Sequence, residues 1–217
     1  MDKSKVEVFL DNGHGKETPG KRSPLFTAEM KAEFGINQFF EYEYTRDIVK
    51  RIENELKELG ISVYIVTPEL RDVALSTRVQ RINKRYAVLK KQGKKAFLIS
   101  VHVDAAGKGK EWMKATGWSS YTTRGQNISD ILSACMYEAA HEVLDPLKKT
   151  IRTDKTDKDE DKEANYYILK NSNVACTLSE NFFQDCKEDV KFLLSEKGKK
   201  AIVDIHVKGI LKYIAKL

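Results

Sequence analysis

An apolar run near the start of the chain ends abruptly in a histidine that has a glycine on each side. The segment Val8 to Lys16 reads Val-Phe-Leu-Asp-Asn-Gly-His-Gly-Lys. Such a run predicts a buried strand, and the glycines beside His14 leave room for another group to approach closely. Ligands of open α/β sheets bind at the carboxyl ends of the strands. His14 is therefore a candidate metal ligand or proton carrier.

Further apolar runs alternate with helical periodicities along the 217 residues. Strands are predicted near Val6 to Leu10, Ile61 to Val66, Ala96 to Val101, Trp118 to Thr122, Tyr166 to Leu169 and Ala175 to Leu178. Helices are predicted over Glu41 to Leu59, Ser76 to Gln92, Ser129 to Leu144 and Lys197 to Leu217. The alternation predicts an α/β fold, with residues 1–217 forming a single domain: a mainly parallel twisted sheet of about six strands with helices on both faces.

Two segments depart from this alternation. Gly15 to Gln38 is rich in glycine and proline and is predicted to be a long loop between a strand and a helix. Thr153 to Lys162 is almost wholly charged and is predicted to be an exposed, flexible loop.

Composition excludes several classes of protein. The net charge of +6 comes from lysines and arginines interleaved with acids, as in Lys50 to Glu58, which predicts solvated helix faces and no nucleic-acid partner. Cys135, Cys176 and Cys186 lack metal-site spacing and are expected to be reduced and structural. No apolar leader follows Met1, and no segment approaches the roughly 20 apolar residues of a membrane helix. We therefore expect a chain made in the cytoplasm without a signal peptide and without membrane insertion.

A second strand repeats the pattern of the first, because the run Ala96 to Val101 ends in His102. If the two strands are neighbours, both imidazoles project into one crevice, where a catalytic zinc takes three protein ligands and a water. Glu41 is the best-placed third ligand, and Glu43 competes with it. Residues two apart on a helix point in nearly opposite directions, so at most one of them faces the crevice.

A fourth polar group follows a late strand. Glu180 comes just after the predicted strand Ala175 to Leu178. Removing a carboxylate from water there is costly, so Glu180 is expected either to be paired or to have a function. Near a zinc-bound water it could act as a general base. His141 and His206 lie in helices and are predicted to be structural or solvent-facing. Four aromatic residues are candidates for a substrate groove or for the core: Trp112, Trp118, Tyr121 and Tyr166.

Five motifs in order resemble the zinc-dependent N-acetylmuramoyl-L-alanine amidases of the amidase-3 type. They are DNGHG, Glu41 at the start of a helix with Asp47-Ile-Val49, SVHVDAAG, EANYYILKNSN and TLSENFF. The resemblance implies a hydrolase that cuts the amide between N-acetylmuramic acid and the first L-alanine of the peptidoglycan stem. It implies Zn²⁺ held by His14, Glu41 and His102, with Glu180 as the catalytic glutamate.

The chain departs from the commoner family pattern at Asn12 and Lys16, which stand where proline and glycine are frequent. An insertion around Lys108 to Lys114 resembles versions from phage or prophage lysins and gut anaerobes. We expect a monomer that acts on peptidoglycan after lysis or non-classical export. The alternatives are a non-catalytic wall-binding module on the same fold and a zinc carboxypeptidase or aminopeptidase.

Overall fold

A computed structural model describes residues 3–156 and 159–217. Met1 and Asp2, at the start of the predicted domain, and Asp157 and Lys158, inside the predicted charged loop, lie outside the described residues. The strands are β1 (Val6–Asn12), β2 (Ser62–Ile65), β3 (Lys95–Asp104), β4 (Trp118–Thr122), β5 (Lys162–Glu163) and β6 (Ala175–Phe183). The helices are α1 (Ala28–Phe34), α2 (Glu41–Glu58), α3 (Leu75–Lys91), α4 (Ile128–Leu144), α5 (Tyr167–Asn171), α6 (Lys187–Leu194) and α7 (Glu196–Lys216).

The described strands form one six-stranded sheet in the order β2-β1-β3-β6-β4-β5. Each neighbouring pair is parallel except β4 and β6, which are antiparallel. The prediction of a mainly parallel sheet of about six strands is confirmed. The carboxyl ends of β1 and β3 lie side by side, so the residues that follow them meet at one edge of the sheet.

Helices cover both faces of the sheet, as predicted. Apolar side chains of α2, α4, α6 and α7 share a core with alternate strand residues such as Val8 and Ile99. The intervening strand residues, such as Phe9 and Leu98, pack with apolar side chains of α3 and α5. Alternation of this kind follows from the two-residue period of a strand. It explains why β1 and β3 read as continuous apolar runs.

The predicted strand at Tyr166 to Leu169 is wrong, since the chain forms helix α5 there. Its consecutive apolar residues do not fix a period, and a short apolar run cannot separate a strand from a helix turn. Ile168 and Leu169 both pack in the core shared with α3. Ser172 closes the helix end by donating its hydroxyl to the Ile168 carbonyl, at 2.6 Å.

The predicted loops contain more structure than their sequences indicated. Gly15 to Gln38 includes α1, which Thr27 caps and which ends at Gly35 in a left-handed conformation with φ +68°. The charged segment is not wholly exposed, because Asp161 is buried and accepts a hydrogen bond from the Thr122 hydroxyl at 2.6 Å. Helix α6 was not predicted.

None of the helices in residues 3–156 and 159–217 has both the length and the apolarity needed to cross a membrane.

Candidate functional site

The two strand-end histidines meet at the carboxyl edge of the sheet. β1 and β3 pair with Asn12 opposite Val101, and the Gly13 amide adds one more hydrogen bond to the Val101 carbonyl, at 2.8 Å. The imidazole rings of His14 and His102 consequently lie with their centroids 5.0 Å apart and nearly perpendicular.

Glu41, the first residue of α2, lies between the two rings and is fully buried. Its Oε1 atom is 3.2 Å from Nδ1 of His102 and 3.6 Å from Nε2 of His14, and it accepts a hydrogen bond from the Val103 amide at 3.0 Å. One ligand atom from each of the three side chains lies within 4.8 Å of the others. Glu43 instead faces solvent, where it accepts a hydrogen bond from the Tyr42 hydroxyl.

The turn that carries His14 depends on close backbone approach. His14 has φ +57°, a left-handed conformation that non-glycine residues seldom adopt. A Cβ on Gly13 would lie 2.8 Å from Nδ1 of His102, and one on Gly15 would lie 2.1 Å from the Asp72 amide nitrogen. The His14 carbonyl accepts a hydrogen bond from Arg46 at 3.0 Å. The flanking glycines are therefore required by packing against β3 and the loop at Asp72.

Burial and charge set the protonation of this cluster. Burial lowers the pKa of His14 to about 3, with Glu41 opposing the shift and His102 adding to it. Burial alone would raise the pKa of Glu41, but its close contact with Nδ1 of His102 and the nearby His14 bring it below its usual value. A neutral imidazole and an ionised carboxylate are the forms that bind a metal ion.

The donor set fits a divalent cation. Oε2 of Glu41 is buried and has no hydrogen-bond partner in the described part of the chain, and such an atom needs compensation. Two imidazoles and one carboxylate match the three protein ligands of catalytic zinc sites, which leave a fourth position for water or substrate.

The structure adds residues behind His102 that the sequence reasoning missed. Nε2 of His102 is 3.2 Å from the hydroxyl oxygen of Ser100, and that hydroxyl donates to Asp11 at 2.8 Å. Asp11 forms an ion pair with the buried Arg78 at 3.0 Å. The signal for this network was Asp11 itself, because a carboxylate inside an apolar strand requires a partner.

Glu180 lies beside His102 on the neighbouring strand, where the two residues are register partners. Strand β6 continues through Glu180 to Phe183, so the predicted end at Leu178 was too early. Oε2 of Glu180 is buried without a hydrogen-bond partner among the described residues. Burial, followed by the charges of Glu41 and Asp104, raises the pKa of Glu180 well above its usual value.

Glu180, His14 and His102 open on one cavity of about 420 Å³. One wall is formed by Val73 to Leu75 and another by Tyr166 to Ile168. Of the four aromatic candidates, Tyr166 lines this cavity. Trp118 is fully buried in the core, Trp112 packs beside Phe26, and Tyr121 lies edge-on against Tyr166.

The remaining histidines and the cysteines lie outside the cavity lining. His206 is fully buried, and His141 is half-buried next to Asp145. All three cysteines are buried and free of disulfides.

Comparison with known proteins identifies relatives of the whole fold. The family model described as N-acetylmuramoyl-L-alanine amidase matches residues 8–212. An endolysin of Bacillus phage SPP1 is 26% identical over 214 residues, which are 95% of this chain and 65% of that protein. The chain thus spans about two thirds of the length of this curated relative.

Solved structures share the fold at lower identity. An N-acetylmuramoyl-L-alanine amidase from Clostridium difficile 630 superposes with a TM-score of 0.75 at 20% identity, covering 98% of each chain. The amidase AmiC2 of Nostoc punctiforme superposes with a TM-score of 0.72 at 19% identity, covering 97% of this chain and 98% of its own.

Proposed function

The chain belongs to the N-acetylmuramoyl-L-alanine amidase family, and on that premise we propose that it hydrolyses the amide between N-acetylmuramic acid and the first L-alanine of the peptidoglycan stem. Residues 1–217 would form one catalytic domain. The observation that carries the proposal is the convergence of His14, Glu41 and His102 at the edge of a cavity that also exposes Glu180.

His14, Glu41 and His102 would hold a zinc ion. The support is the neutral state of His14 and the unpaired, buried Oε2 of Glu41. When bound, zinc polarises a carbonyl group and lowers the pKa of a bound water toward neutrality.

Glu180 would move the protons of the reaction. It would accept a proton from the attacking water and return it to the departing alanine nitrogen. The raised pKa of Glu180 favours a carboxyl group that holds this proton between the two steps. Beside a bound cation Glu180 would lose its proton more readily, as its role as a base requires.

Peptidoglycan is the proposed partner, and the phage endolysin among the relatives supports action on the cell wall. We further propose that the chain acts as a monomer and reaches the wall by lysis or non-classical export.

The test is digestion of purified peptidoglycan by the wild-type chain and by Glu180→Gln. The wild type should release stem peptides with a free alanine amine, identified by mass spectrometry. Glu180→Gln should lower turnover by about 10²–10⁴-fold while retaining the metal content of the wild type. Glu188→Gln, on the exposed start of α6, is the matched control and should behave as the wild type.

Full activity of Glu180→Gln would contradict the assigned role. Release of single amino acids would favour a carboxypeptidase or aminopeptidase instead. Binding to walls without any released product would favour a non-catalytic module.

A further inference from the structure

On the premise of the proposed function, residues that line the cavity also select among stem peptides. We propose that Lys21 is a specificity-determining residue that binds the free α-carboxylate of the second stem residue, a glutamate linked through its side chain, and so favours stems in which this carboxylate is not amidated.

A short antiparallel pairing fixes Lys21 beside the metal-ligand candidate Glu41. The Glu41 amide donates to the Lys21 carbonyl at 3.2 Å, and the Ser23 amide donates to the Phe39 carbonyl at 3.0 Å. Arg22 and Phe40 form the bridge between these bonds. Lys21 therefore sits on ordered backbone, although the surrounding segment reads as a loop.

Adjacent residues of an extended segment point in opposite directions, and this separates the two cations of the segment. The Arg22 guanidinium lies over the Phe40 ring, 5.7 Å from its centroid. Lys21 lines the cavity with His14, His102 and Glu180, whereas Arg22 does not.

The charged groups in the described cavity lining form no ion pair with Lys21. Asp11 and Asp72 are both paired with Arg78, and Asp104 is paired with Arg152. Within the described ranges, Lys21 makes no ion pair, although it borders the same cavity. A half-buried ammonium group that has no ion-pair partner is suited to an anionic group on the ligand.

The position of Lys21 points to a group beyond the scissile bond. Its positive charge lowers the pKa of both Glu41 and Glu180. Burial and the neighbouring histidines affect the pKa of Glu41 more strongly, and burial, Glu41 and Asp104 affect the pKa of Glu180 more strongly. No ion pair joins it to either carboxylate in the described part of the chain. Lys21 thus lies near the reacting centre without touching it, as expected for a residue that binds the neighbouring part of the peptide.

Peptidoglycan stems supply one carboxylate in that region. The residue after the first alanine is a glutamate whose α-carboxyl group is free in some cell walls and amidated in others. The amide form is neutral and cannot form the ion pair, so the discrimination rests on charge.

The experiment compares two synthetic muramoyl tripeptides that end in lysine and differ only in the second residue, which carries an α-carboxylate in one and an α-carboxamide in the other. The readout is the ratio of kcat/KM for the carboxylate substrate to that for the amide substrate. In Lys21→Gln this ratio should fall by about 10- to 100-fold, the loss of one charge-assisted hydrogen bond, and the fall should lie in KM. Lys21→Arg keeps the charge and should retain most of the preference.

Arg22→Gln is the matched control, since it removes the adjacent cation that stacks outside the cavity, and the ratio should stay at the wild-type value. An unchanged ratio in Lys21→Gln would overturn the assignment while the proposed function stood. An equal loss of kcat on both substrates would also overturn it, since that result assigns Lys21 to the reaction step. If the wild type cleaves neither substrate, both proposals fail.

Discussion

The hydroxyl oxygen of Ser100 lies 3.2 Å from Nε2 of His102, the ring nitrogen that does not face Glu41. The Ser100 hydroxyl donates onward to Asp11, so its oxygen is free to accept a hydrogen bond from Nε2–H of His102. This arrangement leaves the lone pair of Nδ1 directed at the proposed metal position. A hydrogen bond to the second nitrogen of a ligating histidine fixes its tautomer and ring orientation.

Ser100→Ala should therefore weaken metal binding by about 10- to 100-fold while leaving the fold intact. Competition with a zinc chelator measures the affinity. Ser133→Ala is the control, because Ser133 is also buried and bonded through its hydroxyl but lies on α4, away from the cavity lining. Equal affinities for both variants would show that Ser100 does not orient His102.

Gly13→Ala should disturb the same ring by steric contact. The new Cβ would lie 2.8 Å from Nδ1 of His102, closer than side chains tolerate, so the imidazole must move. We expect loss of stoichiometric metal, measured by elemental analysis of the purified protein. Gly20→Ala is the control, since a Cβ there meets nothing within 4 Å and only a left-handed φ of +75° is strained. Metal retention in Gly13→Ala would refute this packing argument.

Arg78→Met should destabilise the protein strongly. Arg78 is buried, pairs with the buried Asp11 and donates to the Asn12 carbonyl, so its removal leaves a buried carboxylate without its cationic partner. We expect the free energy of unfolding in urea to fall by about 3–5 kcal/mol. Lys200→Met removes an exposed pair with Asp204 and should cost less than about 1 kcal/mol. Similar losses for the two variants would contradict the proposed importance of the buried pair.

His206 should make stability depend on pH. It is fully buried, donates from Nδ1 to the Ile202 carbonyl and accepts from the Ser179 hydroxyl at Nε2. Burial lowers the pKa of His206 from 6.5 to about 4. Between these pH values the unfolded chain binds a proton that the folded protein does not, so stability falls as the pH drops from 6.5 to 4.

The expected contribution of His206 to this fall is about 3 kcal/mol in the free energy of unfolding. His206→Gln, which cannot titrate, should remove that part of the pH dependence in urea unfolding measured at pH 7 and pH 4.5. An identical pH dependence in the variant would show that other groups cause the acid sensitivity.

Local patterns predicted most of the fold. The apolar side chains of α2 recur every four residues, and the predicted inward positions Tyr44, Ile48, Ile52 and Leu56 are all buried. Leu59 was placed with them but is 40% exposed, because it follows the last helical residue. The run Tyr166 to Leu169 failed because four residues do not define a period, and packing against α3 decided its conformation.

The sequence by itself determined that strands end near His14 and His102 and that a helix begins at Glu41, because apolar periodicity and its termination are local properties of the chain. Only the tertiary structure decided that β1 and β3 are neighbours, that Glu180 lies beside His102, and that Lys21 reaches the cavity from a segment that reads as a loop. Strand pairing and loop placement depend on hydrogen bonds between residues distant in sequence, so no local pattern encodes them. The ligand candidates could therefore be predicted one at a time, whereas their convergence and the Ser100–Asp11–Arg78 network behind His102 required the fold.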